Sequence, residues 1–221
     1  MAEALAASGA DAPAPRASAD ARDRLLALCD GVIAIAITLL VLELVPHVAA
    51  EVTGRALVDT LLERWPELLA YFLSFLVIGR LWDTHRRFFE HIPVADIRAV
   101  WITLLFLRWV TLIPATAALL GSHGQEPAAL TLYAINLLLA TATLWGLWRY
   151  VSSAGYLRRE GLPPRTEPSV DRYFAVSLVG YALIVPAAFL SPTLALLLIF
   201  LTTVLARTLA GRLLAPGAAA A

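Results

Sequence analysis

The sequence contains no lysine, so all seventeen basic residues are arginine, and they are matched by seventeen acidic residues. Charged residues make up only 15% of the chain, too few for the polar surface of a soluble domain of 221 residues. The single cysteine, Cys29, excludes an internal disulfide and gives no sign of an oxidising compartment. Nucleotide and catalytic signatures are missing as well: there is no Walker loop, dinucleotide fingerprint or Gly-x-Ser-x-Gly elbow. His85, Glu90 and His91 lack the His-Glu-x-x-His spacing of a zinc protease. No enzyme activity, cofactor, metal or small-molecule substrate is therefore expected. The N-terminus has no basic start followed by an apolar core, so it does not read as a cleavable signal peptide.

What is present is apolar. Hydrophobic residues make up 60% of the chain and come in blocks of about twenty, the length a helix needs to cross the hydrocarbon core. Backbone groups find no water there, so each block must be helical. Six segments are expected, near Leu25–Val45, Trp65–Trp82, Ala99–Leu120, Ala128–Trp148, Tyr173–Leu190 and Thr193–Leu209. The fold class is an all-α, polytopic membrane protein. Residues 22–212 form one transmembrane unit between disordered tails at 1–21 and 213–221. The Ser191-Pro192 turn makes the last two helices an antiparallel hairpin.

Arginine placement sets the orientation. With the N-terminus cytoplasmic, fourteen arginines, Arg80 and Arg98 among them, lie on the inner side, and only Arg55 and Arg64 lie outside. Both termini are then cytoplasmic, in the cell's inner (plasma) membrane. Topology accounts for these arginines, which leaves nothing to indicate nucleic-acid binding; the Arg158-Arg159 pair suits contact with anionic membrane lipid. Trp65, Trp82, Trp101, Trp145 and Trp148 fall near segment ends and read as interfacial anchors.

The first segment is the most unusual. Asp30 sits about a turn and a half into an apolar helix, where a charge costs up to roughly 2.5–3.5 kcal/mol at the membrane centre, and such a residue usually faces protein, water or a partner. At 100° per residue, Gly31, Ile35, Thr38 and Leu42 share one stripe, with Ala34 beside it. Such a stripe either packs closely on another helix through Gly31 and Ala34 or lines a narrow symmetric pore. Arg108 lies midway along the third segment with no partner near it in sequence, which suits an ion pair better than a voltage sensor. Glu43 and His47 share a face at the outer end of the first segment, where a solvated mouth is a simpler reading than a metal or pH site.

The run Arg24, Leu28-Cys29-Asp30, Gly31-Val32-Ile33 and Ala34 through Glu43 resembles the first helix of the bacterial relatives of the lysosomal potassium channel TMEM175. That family carries Arg-x-x-x-Phe-Ser-Asp followed by Gly-Val-Phe-Ala-Ile-Ala-Ile-Thr-Leu-Leu-Val-Leu-Glu. The resemblance extends through Tyr71–Gly79, Trp82, His85 and Phe88, then through Leu104–Leu107, Pro114 and Ala118–Gly121. Leu28-Cys29 replaces the family's Phe-Ser, Thr103 stands at an asparagine position, and Thr84 at one half of a histidine pair. These departures bear on the polar network around the first helix more than on the fold.

The resemblance implies a potassium-permeable, potassium-over-sodium selective channel. It would be a homotetramer of six-helix subunits, with the first helix of each lining the pore and K+ as the permeant ion. By position, Ile35 would be the narrow apolar ring, Leu39 and Leu42 the apolar positions beyond it, and Thr38 the polar ring. The resemblance also favours a cluster of Arg24, Asp30 and His85 clamping the first helix to the second, over the simpler arrangement of solvated Arg24 and His85 with Asp30 facing a vestibule. A transporter that titrates Asp30 and a non-conducting membrane scaffold stay open as other readings.

Overall fold

The computed structural model describes residues 19–42, 64–90, 92–154 and 168–213. Among these are six α-helices: α1 (Ala19–Leu42), α2 (Trp65–Glu90), α3 (Ile97–Ser122), α4 (Pro127–Ser153), α5 (Pro168–Leu190) and α6 (Pro192–Leu213). Four of them, α1, α3, α4 and α5, are long and apolar enough to cross a membrane, and α6 holds a shorter apolar stretch at Pro192–Leu205. The chain is an all-α, multi-pass membrane protein. The expected tails (except residues 19–21 and 213), Glu43, His47 and the Arg158-Arg159 pair lie outside the described residues.

Local chemistry sets the helix ends. α1 starts at Ala19, inside the stretch expected to be tail, with Asp20 in its first turn, where a carboxylate complements the helix dipole. α2 runs eight residues past Trp82 because its charged end pairs with itself: Arg87 Nε lies 2.9 Å from Asp83 and Arg86 Nη1 lies 2.6 Å from Glu90. These i,i+4 pairs hold as helix a stretch that hydropathy assigns to a loop. Asp96 caps α3 by accepting the Ala99 amide at 2.8 Å. It also accepts a hydrogen bond from the Tyr150 hydroxyl, which ties the start of α3 to the end of α4. Between α5 and α6 a single residue intervenes: Ser191 donates its amide to Ala187 O at 2.9 Å and accepts the Leu194 amide on its Oγ, with Pro192 at the first helical position.

The helices pack mainly in chain order, α3 on α4, α4 on α5 and α5 on α6, while α1 touches only α2 and α3 among the described residues. The largest side chains of a mainly aliphatic interior are aromatic: Phe88 stacks on Trp148 at 4.8 Å, and Phe89, Phe106, Tyr133, Phe174 and Tyr181 are fully buried.

One expectation needs correcting, and one buried charge was not foreseen. Arg80, counted among the arginines of the inner side, is buried inside the bundle, donating to the hydroxyls of Tyr173 at 2.6 Å and Tyr181 at 2.9 Å on α5. Those two hydroxyls supply a local polar site that the hydropathy of α2 does not reveal. Nor are all the tryptophans interfacial anchors. Trp65 and Trp101 are exposed, but Trp148 is buried, and the indoles of Trp82 and Trp145 donate to Asp30 and Asp171 at 2.8 and 3.0 Å.

Candidate functional site on the first helix

One face of α1 is committed to its own subunit. Leu25, Cys29, Ile33, Ala36 and Leu40 are buried at spacings of three and four residues, the periodicity of one helix face. The opposite face is uncovered: Ile35 is 60% exposed, Leu42 57% and Leu39 42%, with Thr38 and Gly31 exposed beside them. A methyl group added at Gly31 would meet nothing within 4 Å. Among the described residues, then, the four expected pore positions share a surface that no other helix fills. The Thr38 hydroxyl donates to Ile35 O at 2.9 Å, which spends its proton on the helix's own backbone and leaves its lone pairs outward.

Near the N-terminal half of α1, the expected trio of Arg24, Asp30 and His85 is distributed over other partners. Asp30 accepts the Trp82 indole N–H at 2.8 Å, and no ion pair joins it to Arg24 or His85 among the described residues. Arg24 is exposed. His85 is buried, with Nε2 3.8 Å from Cys29 Sγ, and its ring stacks on Phe106 at 5.3 Å and 5°. Around the expected trio, α1 is therefore tied to α2 by Asp30–Trp82 and Cys29–His85, and Cys29 stands at one of the positions where the sequence departs from the family pattern. Thr84, another departure, meets the Tyr173 hydroxyl at 3.1 Å. Thr103, the third, is buried with a hydroxyl that has no partner among the described residues.

Sequence reasoning missed Arg22. Its guanidinium donates to Phe89 O at 2.8 Å and Ile92 O at 2.7 Å, capping the C-terminus of α2, where backbone carbonyls have no helical partner. A basic residue at the entry of an apolar helix reads equally well as a topology signal, and its partners are about seventy residues away. No group of three or more metal-ligating side chains occurs among the described residues.

Known proteins share this fold. A family model described as the endosomal/lysosomal potassium channel TMEM175 matches residues 24–114, which span α1, α2 and most of α3. A potassium channel of Streptomyces collinus is 34% identical over 182 residues, covering 78% of this chain and 85% of that protein. A potassium channel of Chamaesiphon minutus is 40% identical over 140 residues, covering 61% of this chain and 68% of its own length. The crystal structure of a lysosomal potassium-selective channel TMEM175 homolog from Chamaesiphon minutus superposes with a TM-score of 0.74 at 28% identity, covering 86% of this chain and 97% of that one. With relatives matched over most of their length, a shared fold and its longest motif on α1, the chain belongs to the TMEM175 family, a family of ion channels and not of enzymes.

Proposed function

We propose that this chain is one subunit of a potassium-permeable, potassium-over-sodium selective channel in which four copies surround an axis and the α1 of each lines the pore. The observation that carries the reading is the uncovered face of α1, where Ile35, Thr38 and Leu42 are exposed opposite the buried stripe and Leu39 is exposed at the edge of that face. One such helix cannot enclose a pore, and a cyclic assembly repeats the same side chain around the axis. Ile35 then forms an apolar ring that restricts water and ions, while Thr38 offers a ring of hydroxyl oxygens to a dehydrating cation. The outward lone pairs of Thr38 suit it to accept a cation, because its proton is already donated to Ile35 O. K+ is the permeant ion and no cofactor takes part. The subunit sits in the cell's inner membrane with both termini cytoplasmic, the side on which the arginines gather.

The test is flux through purified protein in liposomes, with potassium, sodium and proton measured separately for wild type and Ile35→Asn. Potassium flux that exceeds sodium flux and rises in the variant supports the reading. Flux that saturates with substrate and vanishes in Asp30→Asn would favour a carrier, and no flux from intact protein would favour a scaffold.

A further inference from the structure

Arg108 is the twelfth residue of the 26-residue α3, midway along a helix apolar enough to span a membrane. It lies on an exposed stripe with Trp101, Leu105, Leu112 and Leu119, of which the four apolar members are 42–65% exposed. Its guanidinium carbon sits over the Trp109 ring at 5.1 Å, and it forms no ion pair among the described residues. An unpaired arginine at that depth costs roughly 2.5–3.5 kcal/mol on insertion scales, so an anionic partner is the expected remedy.

Carboxylates near the helix ends, such as Asp83, Glu90 and Asp171, have arginines close by. Asp30 is different. It is the twelfth residue of the 24-residue α1, is exposed, and has one oxygen taken by Trp82 and no cation within ion-pair distance among the described residues. The two unpaired charges also lie at one level. α1 and α3 start at the same end of the bundle, because Arg22 reaches Ile92 there, and Leu40 and Ala117 line one cleft at the other. Between those ends, Cys29 touches His85, and His85 stacks flat on Phe106. Asp30 follows Cys29 by one residue and Arg108 follows Phe106 by two, which places them within about one 5.4 Å helical turn of each other along the axis.

We infer that Arg108 of one copy forms an ion pair with Asp30 of the neighbouring copy, so that the α3 stripe of each subunit docks against the α1/α2 flank of the next. The inference rests on the assembly proposed above. Asp30 lies about 100° around α1 from Gly31, on the flank facing Trp82 of α2. When the Gly31–Ile35–Thr38 stripe faces a central axis, that flank turns towards the adjacent subunit. The contact is heterologous, with α1/α2 on one side and α3 on the other, and such a contact closes into a ring of four when each copy is turned a quarter circle from the last. It pairs Asp30 with Arg108 one to one around the ring, and covers Trp101, Leu105 and Leu112 with apolar neighbours.

The test is cross-linking in membranes with a bifunctional thiol reagent about as long as the arginine and aspartate side chains it replaces, in a Cys29→Ser background that places the family's serine at that position. A spacer is needed because an ion pair holds its two Cα atoms farther apart than a disulfide can bridge. Chains carrying Asp30→Cys alone or Arg108→Cys alone are expected to stay monomeric on denaturing gels, and the two co-expressed with different tags to give a mixed covalent dimer. The double variant Asp30→Cys/Arg108→Cys is expected to give a ladder of dimer, trimer and tetramer. Only monomer from the co-expressed pair and from the double variant, with both cysteines reactive to maleimide, overturns the inference. Should the cysteine chains fail to accumulate, charge reversal gives the same reading. Arg108→Asp is expected to lower the tetramer share in mild detergent about tenfold, and Asp30→Arg added to it to restore that share. Equal tetramer in the wild type, the single and the double variant overturns it. Because these experiments read assembly and not flux, a closed but tetrameric protein supports the contact while leaving conduction to fail separately.

Discussion

Gly180→Ala tests how tightly the α5–α6 hairpin is built. A Cβ at Gly180 would lie 2.5 Å from Thr202 Oγ1, 2.6 Å from Thr202 Cγ2 and 3.1 Å from Thr202 Cβ. Rotation about χ1 cannot relieve this. The threonine has two heavy atoms for three staggered positions, and two of those positions face Gly180, so every rotamer leaves one of them filled. The helices must instead move apart by the better part of an ångström, at a cost of about 1–3 kcal/mol for overpacking. Thr202→Ala removes both clashing atoms and leaves only the 3.1 Å contact, which a shift of a few tenths of an ångström absorbs. By itself Thr202→Ala is expected to cost about 1 kcal/mol in lost packing. In the Gly180→Ala background it should recover most of the loss, a coupling of about 1–2 kcal/mol. The assay is SDS-induced unfolding in mixed micelles, followed by the fluorescence of the six tryptophans. Gly180→Ala as stable as wild type, or a double variant whose loss equals the sum of the singles, would refute the reasoning.

Arg22→Met should destabilise the protein by about 2 kcal/mol, since two charge-assisted hydrogen bonds to the end of α2 are lost from a partly exposed site. Hydrogen exchange should show earlier opening in the last turn of α2 than elsewhere in that helix. Asp96→Ala removes both the α3 cap and the acceptor for Tyr150, for an expected cost of about 2–4 kcal/mol by the same unfolding measurement. Tyr181→Phe leaves the Arg80 guanidinium short of an acceptor in a buried site, and a loss of about 1–3 kcal/mol is expected. Thr38→Ala should lower potassium-over-sodium selectivity in bilayer recordings while keeping the channel assembled, and unchanged reversal potentials would remove Thr38 from the selectivity account.

The membrane character, the helical fold and the existence of six helices were legible in the sequence because each depends on a local sum. About twenty apolar residues meet the thickness of a bilayer whatever surrounds them. The Ser191-Pro192 hairpin was legible for the same reason, since cap and turn are made by adjacent residues. So was the α1 stripe, because helical periodicity alone places Gly31, Ile35, Thr38 and Leu42 on one face. Periodicity could not say whether that face packs or stays open. The structure answers this for a single chain, in which α1 rests on α2 and α3 and leaves the stripe uncovered.

Tertiary structure decided which polar groups meet. Arg80 and Tyr181 are 101 residues apart, Arg22 and Ile92 are 70, and Asp30 and Trp82 are 52. Every one of these polar side chains has several chemically acceptable partners along the chain, and composition ranks them equally. Only the lateral placement of helices selects among them, because a hydrogen bond needs its atoms within about 3 Å and in line. The sequence by itself determined what could cross a membrane and which helix is unusual. Packing determined that Arg80 goes inside, that Arg22 closes α2, and that Asp30 and Arg108 are exposed with no ion pair among the described residues.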